Sequence, residues 1–265
     1  MSGHKRMKRK FSCVRRDQNQ APIDRCLSLC LNRGMAYLNY FTKTEWALWL
    51  SSVLTILISA LLFGKQAPLA LIASLIGVTS LIFSAKANPI GQGLVIIFSI
   101  IYAYLSLRNS YYGELMTYLF MTLPMTIFSL FTWLNHPFEG KKSQVTISRL
   151  TPTDRRCLFV FTILITLIFY SILASIKTAY LLVSTLSIAT SFSAVYLSYK
   201  RSPYFALAYG LNDLVLILLW MHAAQTDASQ YAVVICFATF LINDSYTFYN
   251  WLMLQRYQEK KVKKG

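Results

Sequence analysis

The strongest constraint on this chain is a series of eight apolar runs, each long enough to cross a lipid bilayer. A helix needs about 20 mainly apolar residues to span a hydrocarbon core of about 30 Å. The runs cover residues 45–64, 67–85, 91–107, 112–135, 156–175, 178–199, 203–224 and 229–252. Inside lipid the backbone must satisfy its own hydrogen bonds, so each run should be helical. The sequence therefore predicts an all-α polytopic membrane protein with eight transmembrane helices.

Basic residues are distributed unevenly between the two sides of this arrangement. The chain contains 26 Lys and Arg residues and has a net charge of +16. If the amino terminus is inside, all of them except Lys65, Arg108 and Lys177 fall on the inner side. An excess of Lys and Arg marks cytoplasmic segments, so both termini are predicted to be cytoplasmic. The basic segments should contact anionic membrane lipid, and no nucleic-acid partner is expected.

Residues 1–44 are predicted to form a basic cytoplasmic extension. Their mixed polarity, without a compact apolar run and a small-residue cleavage site, argues against a signal peptide. An interfacial helix is predicted over residues 23–41. Free thiols, with no metal and no cofactor, are expected because the cysteines follow no metal-binding or disulfide spacing. These cysteines are Cys13, Cys26, Cys30, Cys157 and Cys236.

The spans repeat with a nearly constant spacing. Spans one to four begin near residues 45, 67, 91 and 112, and spans five to eight begin near residues 156, 178, 203 and 229. The sequence Lys-Ala-Asn-Pro at residues 86–89 also corresponds to Lys-Arg-Ser-Pro at residues 200–203. Four is an even number, so both halves should cross the membrane in the same direction. Secondary transporters with such parallel repeats bind their substrate at the interface between the halves.

Two carboxyl groups lie in the middle of apolar runs. Asp213 is in span seven and Asp244 in span eight, and each directly follows an asparagine, Asn212 or Asn243. A charged group at the bilayer centre costs about 2.5–3.5 kcal/mol, so such residues usually face a polar cavity or a partner. The structural alternative is that these side chains only join packed helices by hydrogen bonds.

Aromatic residues share the helical faces of these polar pairs. Tyr209 and Trp220 lie on the same face of span seven as its Asn-Asp pair. Amides and carboxyl groups can bind hydroxyls and a carboxamide, and aromatic rings suit a planar or cationic ring. In the first half, Gln92 of span three and Tyr118 of span four can line the same site. The pattern therefore indicates a site for a small polar ligand with a ring.

Other residues of the spans have structural interpretations. Pro124 should bend span four, because proline disrupts the helical hydrogen-bond ladder. Trp133 and Trp251 lie near the ends of spans and are interpreted as part of an aromatic belt at the membrane interface. Asp213 and Asp244 are taken as the only acids deep in the spans, so no chain of Asp, Glu and His residues follows one path across the membrane. Transport is therefore predicted to need no ion gradient.

The sequence lacks the motifs of the common membrane enzymes and pumps. There is no GxxxxGK[ST] phosphate loop, no HExxH metalloprotease motif and no GxSxG around a serine. An enzyme is therefore not expected. A membrane scaffold or regulator is the remaining alternative to a transporter.

Several motifs resemble the PnuC-type vitamin transporters. They are NPIGQ at residues 88–92, YYGE at residues 111–114 with Trp133 closing that span, Asn212-Asp213, and NDSYTFYNW at residues 243–251. The resemblance covers about residues 67–253. The chain has Tyr246-Thr247 where the family pattern has an aromatic residue followed by glycine. Residues 1–44 have no counterpart in it.

The resemblance implies a fold like that of the SWEET sugar transporters, with parallel repeats in a 1 + (3+1+3) arrangement. Residues 45–65 would be an extra leading helix, 67–135 the first three-helix bundle and 136–155 a basic cytoplasmic loop. Residues 156–175 would be a linker helix, 178–252 the second bundle and 253–265 a basic cytoplasmic tail. A homotrimer in the bacterial plasma membrane is also implied.

The resemblance further implies facilitated diffusion of nicotinamide riboside, a precursor of NAD. Related members carry thiamine or riboflavin, so these vitamins remain alternatives. The riboside has a pyridinium ring, a carboxamide and hydroxyls, which suit the amides, aromatic rings and carboxyl groups above, and a thiamine ring would use much the same groups. The predicted substrate-binding residues are Gln92, Tyr118, Tyr209, Asn212, Asp213, Trp220, Asn243 and Asp244.

Overall fold

The computed structural model describes residues 40–63, 68–108, 112–176 and 180–263. Eight helical segments within these ranges are long and apolar enough to cross a membrane. This finding confirms the predicted all-α, eight-span fold. Most of the predicted interfacial helix at residues 23–41 lies outside the described ranges, as do Cys13, Cys26 and Cys30.

The elements are numbered here in chain order. The helices are α1 Lys43–Phe63, α2 Pro68–Ala85, α3 Ile90–Arg108, α4 Tyr112–Met116, α5 Leu123–Asn135, α6 Pro152–Ser175, α7 Leu181–Tyr199, α8 Tyr204–Ala224 and α9 Tyr231–Val262. A π-helical segment, Thr117–Thr122, joins α4 to α5, so these three pieces form the fourth span. A 3-10 turn, Ala228–Gln230, precedes α9. Two short antiparallel strands, β1 Pro137–Phe138 and β2 Lys141–Val145, lie between α5 and α6.

Two helix ends differ most from the sequence prediction. α6 begins at Pro152 instead of near residue 156, because a capping box and a proline in the first turn fix its start. Thr151 Oγ1 accepts the N–H of Asp154 at 3.1 Å, and Asp154 Oδ2 accepts the N–H of Thr151 at 3.0 Å. α9 continues to Val262 instead of ending near residue 252, so most of the predicted tail is helical.

Two groups of helices, here called the bundles, correspond to the two halves of the sequence. The first consists of α2, α3 and the fourth span, and the second consists of α7, α8 and α9. α2 packs on α3, α7 packs on α8, and α8 packs on α9. Between the bundles, α2 contacts α9 and α5 contacts α7, while α6 packs against α7. Both bundles can therefore contribute side chains to the space between them.

The turns that follow α2 and α7 have the same backbone geometry. Ala87 and Arg201 occupy the left-handed region, with φ angles of 55° and 54°. In each turn the next residue donates its N–H to the carbonyl five residues earlier, as in a Schellman helix end. These are the two turns whose sequences correspond at residues 86–89 and 200–203. The correspondence between the halves thus extends from sequence to backbone conformation.

Two tryptophans join the halves by reciprocal hydrogen bonds. Trp133, at the end of the fourth span, donates its Nε1–H to Ser198 O of the second half at 2.9 Å. Trp251 of the second half donates its Nε1–H to Ser84 O of the first half at 2.8 Å. The two rings lie 5.3 Å apart between centroids, and both are fully buried. The interpretation of these residues as an interfacial belt is therefore wrong, because each ring packs against the other half.

Residues 145–148, here called the strap, connect both matching turns. The N–H of Val145 donates to Ala87 O at 2.9 Å, and the N–H of Ser148 donates to Arg201 O at 3.0 Å. Near the end of α9, Gln258 Nε2 donates to Val145 O at 3.0 Å. The strap therefore holds the ends of α2, α7 and α9 together on one side of the bundles, here called the strap end.

Candidate functional site

A cavity lies between the two bundles and is lined by helices of both. α2, α3 and the π-helical segment line one side, and α7, α8 and α9 line the other. The space open to the centre of a water molecule is about 80 Å³. One water molecule needs about 10–15 Å³ by this measure, so the cavity has room for several water molecules. The lining includes six of the predicted site residues: Gln92, Tyr118, Tyr209, Asn212, Asp213 and Asp244.

Asp213 and Asp244, here called the acid pair, face each other across the contact between α8 and α9. Their carboxyl groups lie within hydrogen-bonding reach of each other. Only 4% of Asp213 and 2% of Asp244 is exposed. Among the described residues, neither Asp213 Oδ2 nor Asp244 Oδ1 has a hydrogen-bond partner. Both residues line the cavity, so the acid pair is suited to bind a ligand there.

The amide of Asn212 is oriented by hydroxyl groups of α7. Its Oδ1 accepts hydrogen bonds from Thr190 Oγ1 at 2.8 Å, Ser191 Oγ at 2.9 Å and Ser187 Oγ at 3.3 Å. The carbonyl side of the amide is thereby occupied, and the NH2 group is left as the donor for a ligand. These hydroxyl residues were not predicted from the sequence. Their spacing of three and four residues, which puts them on one helical face, was the available signal.

Aromatic rings of both halves meet on one wall of the cavity. Phe98 lies 5.8 Å from Tyr118 and 6.2 Å from Phe240 between ring centroids, both in edge-to-face geometry. Tyr118 lies in the π-helical segment just before Pro124. Proline lacks an N–H and clashes with the preceding turn, which favours a wider turn at that point. Phe98 was not among the predicted site residues, since an apolar ring inside an apolar helix carries no distinguishing sequence signal. Phe240 does share the helical face of Asn243 and Asp244, as its spacing in the sequence indicates.

Gln92 reaches the cavity because α2 and α3 approach closely at their connecting turn. A Cβ atom on the neighbouring Gly91 would lie 2.3 Å from Ser84 Oγ and 2.7 Å from Ser84 N. Only glycine permits this approach. Gln92 itself is 4% exposed and lines the cavity.

Two predicted site residues lie outside the lining. Asn243 Nδ2 donates to Ser52 Oγ on α1 at 2.9 Å and to Thr239 O at 2.8 Å. The Asn-Asp pair of α9 therefore points in two directions, with Asp244 toward the cavity and Asn243 toward α1. Trp220 packs in an apolar cluster with Leu216 and Phe237.

Another buried acid, Glu114, lies near the start of the fourth span. Glu114 on α4 accepts a hydrogen bond from the hydroxyl of Tyr102 and has its Oε2 buried. The Tyr102 ring lies 4.5 Å from the ring of Tyr118, which lines the cavity. Glu114 lies in the first turn of its span, so the statement that Asp213 and Asp244 are the only acids deep in the spans stays a prediction. Within residues 40–63, 68–108, 112–176 and 180–263, no group of three His, Cys, Asp or Glu side chains could hold a metal ion.

Comparisons with known proteins agree with the fold. The model of a family described as nicotinamide mononucleotide transporters matches residues 67–253. The chain belongs to this family. The predicted resemblance is thus confirmed, and the chain is a multi-pass membrane protein of a transporter family.

The chain is also similar to a curated relative and to a solved structure. The nicotinamide riboside transporter PnuC of Haemophilus influenzae is 26% identical over 208 residues, which cover 78% of this chain and 88% of the relative. The crystal structure of the vitamin B3 transporter PnuC superposes with a TM-score of 0.69 at 20% identity, over 82% of this chain and 94% of that chain. This likeness shows a shared fold.

Proposed function

We propose that this protein transports nicotinamide riboside across the membrane by facilitated diffusion, without acting as an enzyme. The observation that carries the proposal is the chemistry of the cavity between the bundles. Its lining combines an acid pair, an oriented amide and aromatic rings, and none of the described lining residues is Lys, Arg or His. The name of the relative from Haemophilus influenzae supports the same substrate.

Each group of the riboside has a counterpart in the lining. The pyridinium ring would stack on Tyr118 or Tyr209, since a cation is attracted to an aromatic face. The NH2 group of Asn212 and the amide of Gln92 would bind the carboxamide or the ribose hydroxyls. The acid pair would offset the positive charge. Asn243 would hold α9 against α1 and Trp220 would pack in the apolar cluster, and neither would contact the substrate.

The charge of the lining favours a riboside over a mononucleotide. A phosphate group carries about −1.5 to −2 charges near pH 7. In this cavity it would meet two carboxyl groups and none of the basic side chains that usually bind phosphate. Thiamine also contains a cationic ring and is the second candidate. Riboflavin has an uncharged ring and would gain nothing from the acid pair.

Uptake of labelled nicotinamide riboside into proteoliposomes tests the proposal. With equal pH and salt on both sides, the substrate should equilibrate, and unlabelled riboside should compete better than thiamine, riboflavin or the mononucleotide. Uptake of thiamine or the mononucleotide with none of the riboside would contradict the substrate. Accumulation above equilibrium in response to a sodium gradient would contradict facilitated diffusion.

Asp213→Asn should weaken riboside binding, because it removes charge while keeping shape and hydrogen bonding. A charge-assisted contact of about 1–3 kcal/mol corresponds to a loss of affinity between roughly fivefold and 150-fold. Asp227→Asn is the matched control, since Asp227 caps the 3-10 turn before α9, outside the cavity, and asparagine caps equally well. Wild-type transport by Asp213→Asn would show that the carboxyl group only joins helices.

We also propose that both termini are cytoplasmic in a bacterial plasma membrane, where the basic ends contact anionic lipid. Cysteines introduced at Gln144 and Lys263 should then react only from the cytoplasmic side, and one at Asp227 only from outside. Labelling of position 263 from outside would refute this topology. The homotrimer implied by the resemblance is proposed with it, and light scattering of the purified protein measures that state.

A further inference from the structure

We propose that the substrate enters and leaves the cavity between the bundles through a second cavity, and that three phenylalanine rings form a barrier between the two. The second cavity lies between α2, α3 and α9 and has about 50 Å³ of space open to the centre of a water molecule. This inference rests on the proposed function, because it assumes a ligand that crosses the membrane. It deepens that function by assigning the route and the residues that limit its rate.

The second cavity extends toward the end of the bundles opposite the strap. It is lined by Ala70 in the first turn of α2, Leu105 in the last turn of α3 and Val233 in the first turn of α9. The strap instead bonds to the turn after α2 and to the last part of α9. The second cavity therefore leads from the cavity between the bundles toward the membrane surface on the side opposite the strap end.

Three aromatic rings belong to the linings of both cavities. They are Phe98 on α3 and Phe237 and Phe240 on α9. The ring of Phe240 lies edge-to-face with both others, with centroids 6.2 Å from Phe98 and 5.9 Å from Phe237. On α2, Ser74 lines the second cavity, and Gly77, one turn later, lines the cavity between the bundles. The rings therefore separate two neighbouring spaces along the same three helices.

The ring of Phe240 has room to move, because there is empty space on both sides of it. Protein interiors are close-packed, and voids larger than a water molecule are few. Phe240 borders two such spaces, of about 80 Å³ and 50 Å³. Its Cζ also lies against the backbone of α2, where a Cβ on Gly77 would be only 2.6 Å away. Rotation of this side chain would join the two cavities without moving a helix.

The lining of the second cavity suits a cationic aromatic ring. Besides the three phenylalanines it includes Tyr102, whose ring stacks on Phe98 with 5.4 Å between centroids. The hydroxyl of Tyr102 donates to the carboxyl group of Glu114. Aromatic faces attract cations, and none of the described residues that line this cavity is Lys, Arg or His. A pyridinium ring would thus pass from one aromatic face to the next on its way to the acid pair.

Cys236 reports on this route, because it lines the second cavity and not the cavity between the bundles. In a protein whose other four cysteines are replaced by serine, a cationic methanethiosulfonate reagent that does not cross the membrane should modify Cys236. The reaction should occur only from the side on which Asp227→Cys reacts, since Asp227 precedes α9 at the end opposite the strap. No reaction, or reaction from the other side, would overturn the inference.

The attached reagent should also block the route. Uptake of labelled nicotinamide riboside should be lost when Cys236 is fully modified, and dithiothreitol should restore it by removing the label. Asp227→Cys with Cys236→Ser, carrying the same label outside both cavities, is the control and should keep its uptake. Unchanged uptake by the modified Cys236 protein would overturn the route. If the unmodified protein takes up no riboside, the proposed function fails, and the reactivity of Cys236 still tests whether the second cavity opens to solution.

Phe240→Leu tests the barrier, because it removes the ring and keeps an apolar side chain. At saturating riboside, uptake should become about twofold to tenfold faster, since one aromatic pair fewer must separate at each passage. Phe169→Leu is the matched control, because Phe169 is also 8% exposed but packs in a separate cluster with Leu173 and Phe192. Uptake by Phe240→Leu that is no faster than uptake by this control would overturn the barrier.

Discussion

Replacing either member of the tryptophan pair by phenylalanine should destabilise the protein by a similar amount. Trp133 and Trp251 occupy corresponding places in the two halves, and each donates one hydrogen bond to a carbonyl of the other half, Ser198 O or Ser84 O. Trp133→Phe and Trp251→Phe each remove that donor and leave a space at the same interface. An interfacial belt residue would instead tolerate phenylalanine with little effect.

The magnitude follows from the two losses. Ser84 O and Ser198 O each keep one hydrogen bond from the backbone of the adjacent turn, so only the net value of the lost bond counts, about 1 kcal/mol. At about 24 cal/mol per Å³, a void of roughly 40 Å³ adds about 1 kcal/mol. Each variant should therefore lose about 2 kcal/mol. The double variant should be non-additive, because the two rings are in contact.

Unfolding of the detergent-solubilised protein, followed by circular dichroism during titration with a denaturing detergent, measures these differences. Tyr112→Phe is a suitable control, since Tyr112 is half exposed and should change stability by no more than about 0.5 kcal/mol. Two tryptophan variants that match this control would refute the reciprocal bonds. A large loss for only one of them would refute the equivalence of the two halves.

Three further variants separate the roles of residues around the cavity. Gly77→Ala should weaken riboside binding measured by calorimetry, because its Cβ would lie 2.6 Å from Phe240 Cζ and would displace that ring. Tyr118→Ala and Asn212→Ala should each weaken binding, and a double-mutant cycle should show coupling, since both would hold one small ligand. Asn243→Leu should reduce stability by about 1–3 kcal/mol in the denaturation assay but leave riboside affinity unchanged, because its amide contacts α1 and not the cavity.

The eight spans could be predicted from the sequence because length and apolar composition are enough to define a membrane helix. The shared face of Tyr209, Asn212 and Asp213 could also be predicted, since the helical period determines which residues of one helix point together. These features depend on neighbours within a few turns of the same helix. Gln92 and Tyr118 could be proposed as site residues only with the help of the repeat. The repeat predicts that the first half faces the second half across the site.

Contacts between distant segments could not be predicted in the same way. Asn243 and Asp244 are adjacent, and nothing in their local sequence distinguishes the residue that faces α1 from the one that faces the cavity. Trp133 and Trp251 lie near helix ends, where a belt residue is common, and their burial depends on helices of the opposite half. The hydroxyls that orient Asn212 come from α7, so their role depends on how α7 packs against α8.

The cavity and the tryptophan pair belong to one arrangement. Ser84, whose carbonyl accepts the Trp251 bond, also lines the cavity, and Phe205 lines it while its ring lies 4.7 Å from that of Trp251. The strap covers the matching turns just beyond, where Val145 is fully buried. The cavity and the contacts that join the two halves therefore share lining residues near the strap end. Each tryptophan hydrogen bond connects the last helix of one bundle to the end of the first helix of the other bundle. Moving one half against the other at the strap end would therefore strain both hydrogen bonds together.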